Sequence, residues 1–297
     1  MAAGWLWVLF TVFAAAGQTA RNAMQRELTT SLGTAGATHV RFLFGFPFAF
    51  LFFLILLALG HPLPHPGPAF WPWIVAGALT QILGTALTLA TMTTRSFVVA
   101  TAYLKTEPIH VALLGVVFLG EHLAPGVMAA IVIATAGVVL ISWRPGAEGG
   151  IKPAIMGLSA GFFFAISAIA YRAGILDAGG DSYVTSASIG LSFGLLVQTL
   201  VLSAWLYARE PMVLAQIFRL WRPSMFAGFL GAAASQGWFL AFALASAASV
   251  RTLGLIDVLF AQAVSHIAFK QKTTLREAAG IAVLIAGICL LVWMHGV

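Results

Sequence analysis

Long apolar stretches recur along the whole chain and are separated by short polar connectors. A helix needs roughly 20 apolar residues to cross a bilayer core about 30 Å thick, so each stretch predicts a membrane-spanning helix. The pattern predicts ten spans, at residues 3–21, 38–59, 70–92, 96–119, 124–143, 153–173, 183–206, 222–244, 247–269 and 274–294. Thr274 and Glu277 have the spacing of a capping box at the start of the last span. The first stretch lacks the basic start of a signal peptide, so we expect it to be retained.

Composition indicates the same class of protein. Of 297 residues, 61% are hydrophobic and 8% are charged, whereas a soluble domain has roughly 25% charged residues. The sequence therefore predicts an all-α integral membrane fold surrounded by the lipid bilayer. The basic residues lie in connectors and form no stripe, so no nucleic-acid partner is expected. A single cysteine, no metal-ligand spacing and no Walker, dinucleotide or hydrolase motif predict no cofactor, no metal site and no enzymatic activity.

The basic residues are distributed unequally between the two sets of connectors. Two of them, Arg172 and Arg251, fall on one side of the predicted membrane. Twelve fall on the other side: Arg21, Arg26, Arg41, Arg95, Arg144, Lys152, Arg209, Arg219, Arg222, Lys270, Lys272 and Arg276. Loops rich in lysine and arginine face the cytoplasm. We therefore expect a protein of the bacterial inner membrane with both termini in the periplasm.

The two halves of the chain resemble each other. A displacement of 150 residues aligns four pairs, Trp71 with Trp221, Glu107 with Asp257, Gly137 with Gly287, and Trp143 with Trp293. The connector 143–150 lies at the midpoint, and five spans per half would insert the halves in opposite directions. Two inverted five-helix repeats, 1–145 and 151–297, are therefore predicted around a central cavity. Transporters with inverted repeats bind their substrate near the membrane midplane, where the repeats meet.

Three charged residues lie deep inside predicted spans. Lys105 and Glu107 are near the middle of the fourth span, and Asp257 is equally deep in the ninth. A charge at this depth costs at least about 2.5 kcal/mol if it faces lipid, so these residues are expected to face a cavity or each other. One interpretation is a substrate or proton site, and the alternative is a structural ion pair between Lys105 and Asp257. Lys105 and Glu107 point about 200° apart on a helix and should not pair.

Further polar residues complete the candidate site. Pro108 removes a backbone donor from the fourth span, which either kinks the helix or is a tolerated membrane proline. Trp238 lies in mid-span, away from the interfaces where most of the tryptophans fall. The candidate substrate-binding residues are Gln18, Gln81, Tyr103, Lys105, Glu107, Gln236, Trp238 and Asp257.

The stretch TEPIHVALLGVVFLGEHL resembles the EamA-type drug/metabolite transporter superfamily, in which the fourth helix of a repeat carries a proline and ends in Phe-Leu-Gly-Glu. Here these are Pro108 and the sequence Phe118, Leu119, Gly120 and Glu121. The second half departs from this pattern, since Val258 stands at the proline position and FKQK replaces the ending. The resemblance implies ten helices around a cavity, transport of a small molecule by alternating access, and no catalysis.

Within that superfamily, the chain is most similar to bacterial aromatic amino acid exporters. This implies a secondary transporter that exports aromatic and other neutral amino acids. Lys105 or an uncapped helix end would bind the carboxylate, Glu107 or Asp257 the amino group, and Trp238 an aromatic side chain.

The alternatives are a multidrug or lipophilic-cation exporter and, more remotely, a non-transport scaffold. A nucleotide-sugar or phosphate-ester carrier would need more cavity cations than Lys105 alone. Proton coupling stays open, and a monomer is expected.

Overall fold

The computed structural model describes residues 2–92, 102–142, 151–269 and 274–296. Within these ranges the chain forms helices and no strand, which confirms the all-α fold class. The α-helices are α1 (Leu6–Leu43), α2 (Phe46–Ala58), α3 (Phe70–Met92), α4 (Glu107–Leu119), α5 (Pro125–Ser142), α6 (Ile151–Leu176), α7 (Tyr183–Arg209), α8 (Pro211–Arg219), α9 (Trp221–Leu244), α10 (Ala247–Leu253), α11 (Asp257–Phe269) and α12 (Leu275–Met294). Short 3-10 helices cover Ala2–Trp5 and Gly254–Ile256.

Eight helical segments in the described ranges are long and apolar enough to cross a membrane. They overlap eight of the ten predicted spans, so this is a multi-pass membrane protein. The predicted span 247–269 is divided, because α10 ends at Leu253 and α11 begins at Asp257. The predicted span 3–21 begins in the 3-10 helix and continues into α1, which extends well beyond it. The count of ten spans therefore stays a prediction.

α1 doubles back on itself at Gly33, whose φ of 66° and ψ of 179° are not helical. The Gln25 side chain donates to the Ala37 carbonyl oxygen at 3.0 Å. A straight helix would place residues 12 positions apart about 18 Å from each other along its axis. Glycine adopts a positive φ without the steric cost that a side chain adds. α1 thus consists of a first arm, residues 6–32, and a second arm, residues 34–43, that lie side by side.

This hairpin corrects the predicted connector between the first two spans. Residues 22–37 are helical except at the bend, so most of that connector is wrong. The sequence analysis assigned Arg21 and Arg41 to this connector, but both are buried, with 3% and 6% of their surface exposed. Without them the imbalance of basic residues becomes ten against two, and those two, Arg172 and Arg251, are themselves in ion pairs. The orientation of the chain stays a prediction.

Helices from the first and second halves of the chain pack together in matched pairs. α1 packs along α9, α3 packs along α6, and α5 packs along α12. Between α5 and α12, a Cβ added at Gly137 would lie 2.4 Å from the Leu284 nitrogen, and one added at Gly287 would lie 2.5 Å from the Ala134 nitrogen. Small residues let membrane helices approach this closely. Side chains from α1, α3, α6 and α9 line one central cavity.

Arg172 on α6 holds three parts of the fold together. Its Nε donates to Glu121 Oε1 at 2.6 Å, just after the end of α4. Its Nη1 donates to the carbonyl oxygens of Phe242 and Ala245, at the carboxyl end of α9. The last carbonyls of a helix have no partner inside the helix, and a cation there also interacts favourably with the helix dipole. Gly120, with φ of 61°, ends α4 and brings Glu121 into this contact.

Candidate substrate site

Two interrupted helices lie beside the central cavity. α4 begins at Glu107, directly after a turn formed by Lys105 and Thr106. Pro108 is in the first turn of α4, and because it has no N–H, the preceding helical turn cannot continue through it. The helix is interrupted next to Pro108, and the role of Pro108 in the site stays a prediction. The second interruption is the 3-10 segment Gly254–Ile256 between α10 and α11.

Two ion pairs connect these interruptions. Lys105 Nζ lies 2.6 Å from Asp257 Oδ2. Arg251 donates from Nε and Nη2 to the two carboxylate oxygens of Glu107, each at 2.6 Å. Glu107 and Asp257 are the first residues of α4 and α11, where the helix dipole favours a negative charge. The alternative of an ion pair between Lys105 and Asp257 is thus confirmed, and Lys105 and Glu107 have different partners as expected.

Both ion pairs face the cavity. The cavity has a volume of about 470 Å³, and all four charged residues contribute to its lining. Their side chains keep between 9% and 16% of their surface exposed, so the pairs are not sealed inside a dry helix contact. Small-molecule sites have volumes of roughly 300–1,000 Å³. The arrangement can therefore enclose a metabolite with charged groups on either side.

Most of the predicted site residues come together at this cavity. Those that line it are Gln18, Gln81, Lys105, Glu107, Trp238 and Asp257. Tyr103 and Gln236 do not. Tyr103 is 37% exposed and is not among the residues that line the cavity. Gln236 Nε2 donates to Ser188 Oγ at 2.8 Å, which joins α9 to α7.

The aromatic wall of the cavity is tightly packed. The guanidinium carbon of Arg251 lies 4.7 Å from the centre of the Trp238 ring, within the range of a cation–π interaction. A Cβ at position 254 would lie 2.5 Å from Trp238 Cη2, so only glycine fits beneath the indole. The rings of Tyr171 and Phe239, which also line the cavity, are 4.6 Å apart. Trp238 thus packs against the charged residues of the cavity, which accounts for a tryptophan in the middle of a predicted span.

Gln81 accepts a hydrogen bond from a buried glutamine that is outside the cavity lining. Gln198 Nε2 donates to Gln81 Oε1 at 2.7 Å and to the Tyr171 hydroxyl at 3.1 Å. Gln198 itself is fully buried on α7. The amide nitrogen of Gln198 thus contacts two residues of the cavity wall and fixes their orientation, while its Oε1 has no partner among the described residues.

Two cavity residues were assigned elsewhere by the sequence analysis. Arg21 and Arg41, on the two arms of α1, are buried and line the cavity. With Lys105 and Arg251 they bring the cations of the described lining to four. The expectation that Lys105 is the only cavity cation is therefore wrong, and so is the argument that it gave against a nucleotide-sugar or phosphate-ester carrier.

A signal for Arg21 was present in the sequence. Gln18, Arg21, Asn22 and Gln25 are spaced at i, i+3, i+4 and i+7, so they form a polar stripe on one face of a helix. All four line the cavity. A connector has no reason to show this spacing, whereas a helix beside a polar cavity does.

The fold and the cavity define a helical membrane protein with a charged internal site between interrupted helices. Residues 3–143 match the EamA-like transporter family. This similarity agrees with the resemblance predicted from the sequence, and it covers slightly less than half of the chain. It does not extend to the subtype of aromatic amino acid exporters.

The fold is also found among solved structures. One of them, described only as a crystal structure of a protein, superposes with a TM-score of 0.72 over 99% of this chain and 97% of its own. The sequence identity is 14%, so this similarity concerns the fold alone. No curated protein matches the chain.

Proposed function

We propose that the whole chain is a secondary transporter that exports amino acids across the bacterial inner membrane by alternating access. The observation that carries this proposal is that two ion pairs connect two interrupted helices and face a cavity of about 470 Å³. Interrupted helices at the meeting point of two repeats are how transporters of several folds build their substrate sites. Charge at such a depth is costly and is kept where it serves a polar pathway.

Two inverted repeats, 1–145 and 151–297, are part of this proposal. α4 and α11 begin 150 positions apart, at Glu107 and Asp257. α1 contains the first predicted span of the first half and α3 is its third, while α6 and α9 are the first and third of the second half. In both contacts the first span of one half packs against the third span of the other half, as a two-fold relation between the halves would produce. Rocking of the two halves would open the cavity to either side of the membrane in turn.

An amino acid offers a carboxylate, an ammonium group and a side chain. In this conformation Lys105, Glu107 and Asp257 already have partners, so a bound amino acid would exchange places with one partner of each pair. Its ammonium group would take the position of a basic side chain beside Glu107 or Asp257. Its carboxylate would take a place beside the released cation. An aromatic side chain has less to gain from Trp238, since Arg251 already covers part of that ring.

The multidrug alternative receives less support. A lipophilic cation would enter a cavity whose described lining has four basic residues and two carboxylates, both already neutralised. Repulsion between like charges in a medium of low dielectric constant disfavours that ligand.

Transport by the purified full-length protein in proteoliposomes tests the proposal. We expect exchange of labelled amino acids, measured against protein-free vesicles and with or without a pH gradient, and no uptake of labelled tetraphenylphosphonium. Uptake of the cation without any amino acid would establish the multidrug alternative. Transport of neither, by protein that is folded, would leave the scaffold alternative. A dependence on the pH gradient would show that protons are the coupling ion.

The proposed orientation predicts the outcome of reporter fusions. Alkaline phosphatase fused after Val297 should be active, and a fluorescent protein at the same point should be dark, since the C-terminus is expected in the periplasm. The same two reporters inserted in the connector 143–150 should give the reverse pattern. The opposite result at both points would place the termini in the cytoplasm.

A further inference from the structure

Arg21 and Arg41 are neighbours although they are on different arms of α1. A Cβ added at Gly231 on α9 would lie 3.3 Å from Arg21 Cδ and 3.6 Å from Arg41 Cγ. Both side chains therefore pack against α9 at Gly231, and both line the cavity. The absence of a side chain at Gly231 leaves room for them to lie together.

Neither arginine is neutralised by a carboxylate in the described part of the chain. Arg21 is 3% exposed, and its Nη2 donates to Asn22 Oδ1 at 2.8 Å. Its Nε and Nη1 have no hydrogen-bond acceptor among the described residues. Arg41 is 6% exposed, donates to Thr85 Oγ1 at 3.3 Å, and leaves Nε without an acceptor. The Phe42 ring, 5.2 Å from its guanidinium carbon, is a further neutral contact.

The charges of the cavity therefore do not balance. Its described lining contains four basic side chains and two carboxylates, and the carboxylates of Glu107 and Asp257 are occupied by Arg251 and Lys105. Two buried guanidinium groups remain, side by side. Buried charges are strongly unfavourable unless they are paired. A ligand with the missing negative charge would remove that cost.

We propose that Arg21 and Arg41 form an oxyanion site and that the transported molecule is a small organic acid with net negative charge, such as an acidic amino acid or a dicarboxylate. A guanidinium binds carboxylates through charge-assisted hydrogen bonds, and Arg21 has Nε and Nη1, on opposite edges of its plane, free to donate. The inference rests on the proposed transport function and specifies the substrate class as organic acids with net negative charge, whether or not they are amino acids. An additional acid group binds at the arginines, while the ion pairs of α4 and α11 bind the rest of the molecule.

Binding measured without transport tests this inference. The purified full-length protein is titrated with glutamate, succinate, glycerol phosphate and leucine at constant ionic strength, and its thermal unfolding temperature is recorded. We expect glutamate and succinate to raise that temperature at lower concentration than leucine. In Arg21→Gln and Arg41→Gln the apparent affinity for both acids should fall about ten-fold or more, the loss expected for a charged hydrogen bond. Arg222→Gln, an exposed arginine on α9, is the matched control and should not change it.

A structural role for these arginines predicts something different. If they only stabilised the fold, Arg21→Gln and Arg41→Gln would lower the unfolding temperature of the ligand-free protein. We expect no decrease, because no ion pair is lost. If a glutamine variant is not recovered folded, Arg21→Lys, which keeps the charge but not the planar donors, should show a smaller loss of affinity.

The outcomes separate this inference from the proposed function. Equal affinity for leucine and glutamate, or unchanged affinity in both glutamine variants, would overturn the oxyanion site even if amino acids are transported. Preference for glycerol phosphate over succinate would keep the site and overturn the carboxylate assignment. Binding of acids that depends on the arginines, without transport of any ligand, would support the site and contradict the transporter.

Discussion

Replacing Glu107 with glutamine is expected to reduce the free energy of unfolding by about 3–5 kcal/mol, the cost of leaving one partner of a buried ion pair unpaired. Glu107 is 7% exposed and accepts both hydrogen bonds of the Arg251 guanidinium. A glutamine keeps the shape but offers Arg251 no negative charge. Thermal unfolding in detergent measures the loss, and transport should fall to the level of protein-free vesicles.

Two further variants make this result interpretable. Glu27→Gln, the same substitution at an exposed position of α1, should leave the unfolding temperature unchanged. Glu107→Gln combined with Arg251→Gln removes both charges and should recover most of the stability, because no buried charge is left alone. A single variant as stable as the natural protein would show that the pair contributes little.

The second large effect is expected for Arg172→Met. This change removes the partner of Glu121 and leaves the carbonyl oxygens of Phe242 and Ala245 without a donor at the end of α9. An unpaired buried carboxylate costs about 3–5 kcal/mol, and unsatisfied carbonyls add to it. We expect a strong decrease in monodisperse protein, measured by size-exclusion chromatography, and a lower unfolding temperature.

Arg209→Met is the control for this substitution, since Arg209 is exposed at the end of α7. Adding Glu121→Gln to Arg172→Met should recover part of the stability and not all of it, because the carbonyl oxygens stay unsatisfied. Full recovery by Glu121→Gln would contradict the role given to the contact between Arg172 and α9.

Features that depend on neighbouring residues could be predicted from the sequence. The break before Pro108 follows from a missing backbone donor, and the capping box is present as predicted, with Thr274 Oγ1 accepting from the Glu277 N–H. Eight spans could be predicted from apolar stretches of sufficient length, because the hydrocarbon core of a membrane is crossed by apolar helices whose backbone groups are all hydrogen-bonded. In each case the cause lies within a few positions of its effect.

Features that depend on distant contacts were predicted poorly. Hydropathy cannot distinguish a polar segment in water from a polar helix face beside an internal cavity, so Arg21 and Arg41 were assigned to loops. The partner of Glu107 is 144 positions away, and nothing local identifies Arg251 as that partner. The bend at Gly33 was also missed, since a single glycine in a polar stretch does not by itself indicate a turn between two helical arms.

The occupied carboxylates at the centre of the protein have a consequence for how tightly any cargo is held. An arriving molecule gains contacts with Glu107 or Asp257 only by displacing a side chain that made equally good ones. The net gain from these two contacts is therefore small, and they add little to the affinity for the cargo. Weak retention suits a carrier that discharges an abundant metabolite, because fast release sets the turnover and the empty protein restores its internal contacts unaided.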